Sequence, residues 1–180
     1  MHVELETERL HLRPPQPDDA ATMLDLFGDA DVMRPVGSEP GGIELATEHV
    51  TRWIARWNAN RMGPFVLVRR TDGRLLGRVG PLVWDTRTWE PANFVDAADS
   101  AQVELGWVLA QEHWGQGYAT EAALTVRGWL REACGVDRLI SLIAPDNSRS
   151  AHVAERLGAV PDETIVVADG TELIVWVHPR

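Results

Sequence analysis

Gly115-Gln116-Gly117, within Trp114-Gly115-Gln116-Gly117-Tyr118-Ala119-Thr120-Glu121-Ala122, joins two segments of different hydrophobic period. Upstream, Val103, Leu105, Trp107 and Leu109 alternate with Glu104, Gly106 and Val108, the two-residue repeat of a strand. Downstream, apolar residues return at helical spacing from Gly117 to Ala133. Glycines between a strand end and a helix start let backbone N–H groups converge on an anion at the positive end of the helix dipole. The stretch predicts a pyrophosphate cradle, although alone it fits a tight strand-to-helix turn equally well.

Outward from this turn the chain alternates between the two periods. Arg9 to Arg13 reads as a strand, stopped by Pro14, Pro15 and Pro17, and Asp18 and Asp19 open a helix running through Phe27. After a Pro/Gly-rich loop at 35–42, a second helix is expected over 43–58, with Leu45, Val50, Trp53, Ile54 and Trp57 near helical spacing. Segments 64–69 and 75–83 flank Thr71-Asp72-Gly73 as an antiparallel hairpin. The polar stretch 85–100 has no sustained period and reads as a long loop of the kind that borders binding sites. Gly106, interior to its strand, predicts a bulge. A short strand at 138–143, a helix at 147–157 ending at Gly158, and strands at 164–167 and 173–177 turning at Asp169-Gly170 complete the chain. The pattern predicts one α/β domain over 1–180, without internal repeats.

Composition narrows the function. A chain of 180 residues with 44% hydrophobic and 24% charged residues has no apolar run of the ~20 residues that cross a bilayer, so a soluble, non-membrane domain is expected. The segment Met1 to Glu8 is acidic and lacks a secretory pattern, which points to the cytoplasm. A net charge of −10 repels a nucleic-acid backbone. All 17 basic residues are Arg, so chemistry that needs a lysine, such as a pyridoxal Schiff base or a Walker phosphate site, is excluded. The single Cys134 has no internal disulfide partner and reads as a packing residue. The six His never fall at the i, i+4 spacing of a helical zinc pair, and no metal site is expected. No Ser occupies a G-x-S-x-G elbow.

Three separated motifs then converge: Trp114 to Ala122, Asn147-Ser148-Arg149-Ser150 at the next helix start, and Thr7-Glu8-Arg9-Leu10-His11-Leu12-Arg13 at the first strand. Together, and in their order along the chain, they resemble the GNAT superfamily of N-acetyltransferases, in the branch similar to the ribosomal-protein N-terminal (alanine/serine) acetyltransferases. The resemblance covers nearly the whole chain. It implies an α/β fold with a mixed, mostly antiparallel central sheet, splayed between the fourth and fifth of the strands read above and flanked by helices. It also implies acetyl-CoA as co-substrate and a primary amine as acceptor.

Residue by residue, the resemblance implies that the turn Glu112, His113, Trp114, Gly115, Gln116 and Gly117, with Tyr118 and Ala119 opening the helix, holds the pyrophosphate of acetyl-CoA. Glu112 departs from the Arg or Gln usual at its position. Trp107, Val108 and Leu109 would pair with the pantetheine arm, and the Val108 N–H would stabilise the oxyanion. Glu104 would be the general base, with a solvated strand carboxylate as the bland alternative. Ser150 would protonate the departing sulfur, since Ala154 stands where many relatives carry a tyrosine. Asn147 both suits a helix cap and belongs to this site. His113 and His152 are more simply packed or solvated residues than catalysts.

Trp53 and Trp57 fit a helix core face, whereas Trp84 and Trp89 fit either an acceptor pocket or a homodimer contact. The acceptor amine is open between a protein N-terminus and a small molecule, with the acidic chain favouring cationic acceptors. Alternatives are a non-catalytic acyl-CoA sensor and a transferase for another short acyl group such as succinyl. A dinucleotide oxidoreductase is disfavoured because Thr120 stands where a Rossmann fingerprint needs Gly or Ala.

Overall fold

The computed structural model describes Val3 to Arg180; Met1 and His2, part of the amino-terminal reading, lie outside the described residues. Strands β1 (Leu5–Glu6) and β2 (Leu10–Arg13) come first. Three short helices follow, α1 (Asp19–Thr22), α2 (Leu24–Gly28) and α3 (Ala30–Met33), then a 3-10 turn at Arg34–Val36 and the long α4 (Ile43–Asn60). Strands β3 (Phe65–Arg69) and β4 (Leu75–Asp85) form a hairpin, and β5 (Glu90–Pro91) and helix α5 (Phe94–Ala97) precede β6 (Ala101–Leu109). Helix α6 (Tyr118–Glu132), β7 (Leu139–Ile143), α7 (Ser148–Arg156), β8 (Val160–Val166) and β9 (Glu172–Val177) complete the chain.

The strands form one mixed sheet in the order β1-β2-β3-β4-β6-β7-β9-β8, with β5 added on β4. Every pairing is antiparallel except β6 with β7. That parallel pairing spans only Val103↔Leu139 and Glu104↔Ile140. Beyond it β6 stays with β4 as far as Gly77↔Leu109, while β7 follows β9, so the sheet splays open. Past the last rung, the carbonyl of Leu105 accepts a hydrogen bond from Ser141 Oγ at 2.6 Å, a side-chain substitute for the missing ladder bond.

Both faces of the sheet are covered. Leu10, Leu12, Leu67, Leu105 and Leu139 pack with Ala122, Val126 and Leu130 of α6 on one face, all fully buried. A fully buried leucine stabilises the fold by about 1.5–3 kcal/mol. On the other face Phe27, Met33, Val50 and Trp53 from α2, α3 and α4 cover Val66 and Val108.

Four expectations change. The first helix is broken at Met23, whose φ −93, ψ 7 is not helical, because buried Asp19 is held at its start by Arg13 at 2.6 Å and by the Gln16 N–H at 2.7 Å, while Met23 and Phe27 both turn into the core. Segment 85–100 is not a plain loop. Asp85 accepts from the Arg87 N–H, the Arg87 guanidinium and Ser100 Oγ, closing it into a compact excursion that carries β5 and α5. Strand β8 begins earlier than predicted, at Val160, with a register shift against β9 between Pro161 and Thr164. Finally, β6 runs against β4 without a register shift through Gly80↔Gly106, so no bulge lies at Gly106; the cleft opens instead where β7 leaves. No helix of the described residues is long and apolar enough to cross a membrane.

Candidate active site

The splay and the turn after β6 together form a cleft of about 330 Å³. Trp107, Val108 and Leu109 line it from β6, His113, Trp114, Gly115 and Gly117 from the turn, Tyr118 and Ala119 from α6, and Asn147 and Ser150 from α7. Gly115 (φ +71) and Gly117 (φ +81) are left-handed, a conformation that costs other residues steric strain. Helix α6 begins at Tyr118 with no side-chain cap on its first N–H groups, which leaves them for an anion in the cleft. Uncapped donors, left-handed glycines and an open strand edge fit a pyrophosphate with an extended amide-bearing arm.

The turn is held from behind. Arg9 Nη1 donates to the Gln116 carbonyl at 2.9 Å and Arg9 Nε to Glu121 Oε2 at 2.6 Å, while Thr7 Oγ1 donates to Glu121 Oε1 at 2.5 Å. The Arg9 guanidinium also stacks 4.4 Å from the Tyr118 ring centre. Two residues of the expected cradle do not line the cleft. Glu112 is exposed and paired with Arg74, and the Gln116 side chain donates back to the Glu112 carbonyl at 2.8 Å. Trp114 Nε1 donates to the Leu109 carbonyl at 2.8 Å and its ring lies 4.6 Å below the Arg149 guanidinium. Buried His113 is held below its ordinary pKa by desolvation, which keeps it neutral.

A second cavity of about 640 Å³ lies on the other side of the splay. It shares Pro35, Val36, Trp107, Asn147 and Ser150 with the cleft and adds Arg78, Trp84, Trp89, Glu104 and Ser141. Glu104 is 7% exposed and accepts from Trp84 Nε1 at 2.6 Å. Burial raises its pKa, opposed by the Trp84 N–H and the nearby Arg78 charge. Burial likewise lowers the Arg78 guanidinium to about 10, still protonated at neutral pH. Trp84 and Trp89 both line this cavity.

Backbone direction separates Val108 from its neighbours. The Ala110 N–H donates to the Leu76 carbonyl and the Leu105 carbonyl turns to Ser141. Strand alternation then aims the Val108 N–H at β4 and those of Trp107 and Leu109 away from it, toward the splay. The oxyanion donor expected at Val108 is thus committed to the sheet. On α7, Asn147 caps the helix by accepting from the Ser150 N–H at 3.1 Å, and Ser150 stands where the two cavities meet. Ala154 is fully buried and carries no polar group.

Sequence reasoning misses Arg78, Ser141 and His178. Ser141 Oγ also lies 2.9 Å from Nε2 of His178, whose pKa burial lowers to about 4. Because neutral His178 donates to a hydroxyl whose proton is already given to Leu105, the pair braces the splay rather than forming a nucleophile. Among the described residues no group of three or more His, Cys, Asp or Glu is arranged to hold a metal ion.

Known proteins share this architecture. The model of the acetyltransferase (GNAT) domain family matches residues 9–160. The crystal structure of an acetyltransferase from Agrobacterium tumefaciens is similar at 28% identity and TM-score 0.79, covering 99% of this chain and 95% of its own. The ribosomal-protein-S5-alanine acetyltransferase of Vibrio fischeri shares the fold at 19% identity and TM-score 0.69, covering 97% and 95%. So does the microcin C7 self-immunity acetyltransferase MccE, solved with acetyl-CoA and AMP, at 12% identity and TM-score 0.73, covering 97% and 94%. With its splayed sheet, its glycine turn and a family match running through both, the chain belongs to the GNAT superfamily and is an N-acetyltransferase, moving an acyl group from an acyl-CoA to an amine.

Proposed function

We propose that this enzyme, acting as one catalytic unit over its whole length, transfers the acetyl group of acetyl-CoA directly to a primary amine in a ternary complex. The amine is a small molecule or a protein N-terminus. One observation carries this reading: the cleft and the second cavity meet at Trp107 and Ser150, with buried Glu104 on the acceptor side.

In this reading the N–H groups of Gly115, Gly117 and the first turn of α6 hold the pyrophosphate, and the free edge of β6 at Trp107 and Leu109 pairs with the pantetheine arm. The thioester carbonyl then lies at the junction. Glu104 accepts the proton that the amine must lose; its raised pKa brings a carboxylate closer to neutrality, where a general base works best. The nitrogen attacks the acyl carbon, and the Trp107 N–H donates to the oxygen that gains charge. The C–S bond breaks as the N–C bond is completed, and Ser150 Oγ–H relays a proton to the leaving sulfur while taking one up from solvent. A lysine amine, with pKa about 10.4, needs the base more than an α-amine near 7.7–8.0.

MccE, a structural neighbour carrying acetyl-CoA, supports the acetyl donor. The test is thermal shift with acetyl-CoA, succinyl-CoA and NAD, followed by CoA release with an amine panel. A ligand at 100 times its Kd adds about 2.7 kcal/mol of stability. Stabilisation by acetyl-CoA with amine-dependent CoA release is the expected result. Equal use of succinyl-CoA would displace the acetyl assignment, and binding without release from any amine would leave a sensor.

A further inference from the structure

Arg78, on β4, reaches into the second cavity, yet its buried Nη1 has no hydrogen-bond partner among the described residues. A guanidinium donor withdrawn from solvent and left unmatched is costly, and such a group calls for a partner, either a ligand or an ordered water. The surroundings of Arg78 sharpen this. Its guanidinium lies 5.9 Å from the centre of the Trp53 ring, whose face holds it in place without accepting a hydrogen bond. A second half-buried guanidinium, Arg56 of α4, also has an unmatched Nη1, and Glu104 is the one acid acting on both. Two cations thus face a single carboxylate, whose Oε2 is already engaged by Trp84. The balance becomes more positive when Glu104 takes up a proton.

Arg78 and Glu104 do not form an ion pair among the described residues. A Cβ placed on Gly106 would stand 3.1 Å from Arg78 Nη1 and 3.3 Å from Glu104 Oε1, so both groups overlook the bare backbone of Gly106. A small molecule entering the cavity would meet a donor at Arg78 and an acceptor at Glu104, both of which line it. Exposed Glu90 and Asp169 lie at the rim of the same cavity beside exposed Arg34, so its mouth carries a net negative charge of one while its floor carries the cation. This polarity attracts an ammonium group and receives an anion behind it.

We propose that the acceptor is a small zwitterionic amine, an α-amino acid or close derivative, whose carboxylate is held by Arg78 while its amine faces Glu104. The inference deepens the transferase reading of this site and rests on it. A planar guanidinium fork matches a carboxylate, and the single excess buried charge matches a monoanion rather than a phosphate dianion. The proton balance of the transfer is unchanged, since the carboxylate is a handle and takes no part in bond making.

The experiment compares CoA release from acetyl-CoA with the common amino acids, the matching amino acid amides and the decarboxylated amines. The free acids are expected to exceed both in kcat/KM by tenfold or more, and Arg78→Met to erase that preference without changing the Kd for acetyl-CoA. Because Arg78 adjoins Glu104, a readout without catalysis accompanies this: calorimetry of N-acetyl amino acids against their amides with Glu104→Gln protein and CoA, where the acid again binds at least tenfold tighter. Should Arg78→Met fail to fold, the acid-to-amide comparison on the wild-type protein decides the matter unaided. Amides or plain amines used as well as acids, or amides bound as well as acids, overturn the carboxylate assignment and leave the transferase reading standing. No CoA release from any amine, with acetyl-CoA still bound, overturns both.

Discussion

Arg9, in the bend just before β2, donates from Nη1 to the backbone carbonyl of Gln116, 2.9 Å away. A trans peptide is planar, so a carbonyl drawn toward β2 turns the Gly117 N–H of the same peptide the opposite way, toward the cleft that Gly117 lines. The first-strand signature Thr7-Glu8-Arg9-Leu10 thereby acts on a turn distant in sequence, with Glu121 fixing Arg9 through its Nε and Nη2. Arg9→Met removes a charge-assisted bond of about 1.5–3 kcal/mol, lessened by partial solvent exposure, so acetyl-CoA affinity is expected to fall about tenfold. Calorimetric titration measures it, and an unchanged Kd would show the cradle to be preorganised without Arg9.

Glu104→Gln is expected to lower kcat/KM by about 10²-fold while acetyl-CoA binds as before, the magnitude usual for a lost general base. A base works only when ionised, so wild-type kcat/KM rises with pH through the raised pKa of Glu104. Trp84 Nε1 donates to the carboxylate and favours its charged form. Trp84→Phe should therefore move the acidic limb of the profile to higher pH, and a limb that stays in place would detach Glu104 from the rate.

Ser150→Ala should lower kcat by about 10²-fold, the lower end of general acid effects, with little change in KM for either substrate. The helix cap survives because Asn147 accepts from the Ser150 backbone N–H, not its hydroxyl. Steady-state kinetics beside a melting curve separate the two roles, and a Ser150→Ala protein with wild-type kcat would assign leaving-group protonation elsewhere.

How much of this was legible in sequence depends on range. The alternation of 103–109 and the glycines after it carry their geometry locally, since period and permitted φ are properties of a few adjacent residues. Helix capping by Asn147 is equally local. Arg78 is different: within Leu75–Asp85 it is one polar position of a mostly buried strand, and its meaning arises only when the sheet order sets β4 beside β6 and α4 lays Trp53 against it. The same holds for Ser141, whose bond to Leu105 exists because β7 diverges. Gly106 shows the converse error. A strand glycine suggests a bulge, but here its bare backbone makes room beneath Arg78 and Glu104 with the register intact.

The buried histidines make stability depend on pH in a defined window. Burial lowers His178 and His49 from 6.5 to about 4 each. The unfolded chain therefore binds protons between about pH 6.5 and 4 that the folded chain refuses, so stability is present above 6.5 and is lost as the pH falls toward 4. Glu104, with its pKa raised, works in the opposite direction in this range, whereas Asp72, lowered to about 2, acts below it. For His178, which is 4% exposed, the full shift corresponds to about 3 kcal/mol, or several degrees in Tm for a chain of this size. Melting curves across this range should show Tm falling with pH, and His178→Gln with His49→Phe should flatten the slope. A slope as steep in the double variant as in the wild type would assign the acid sensitivity to His113 and the carboxylates instead.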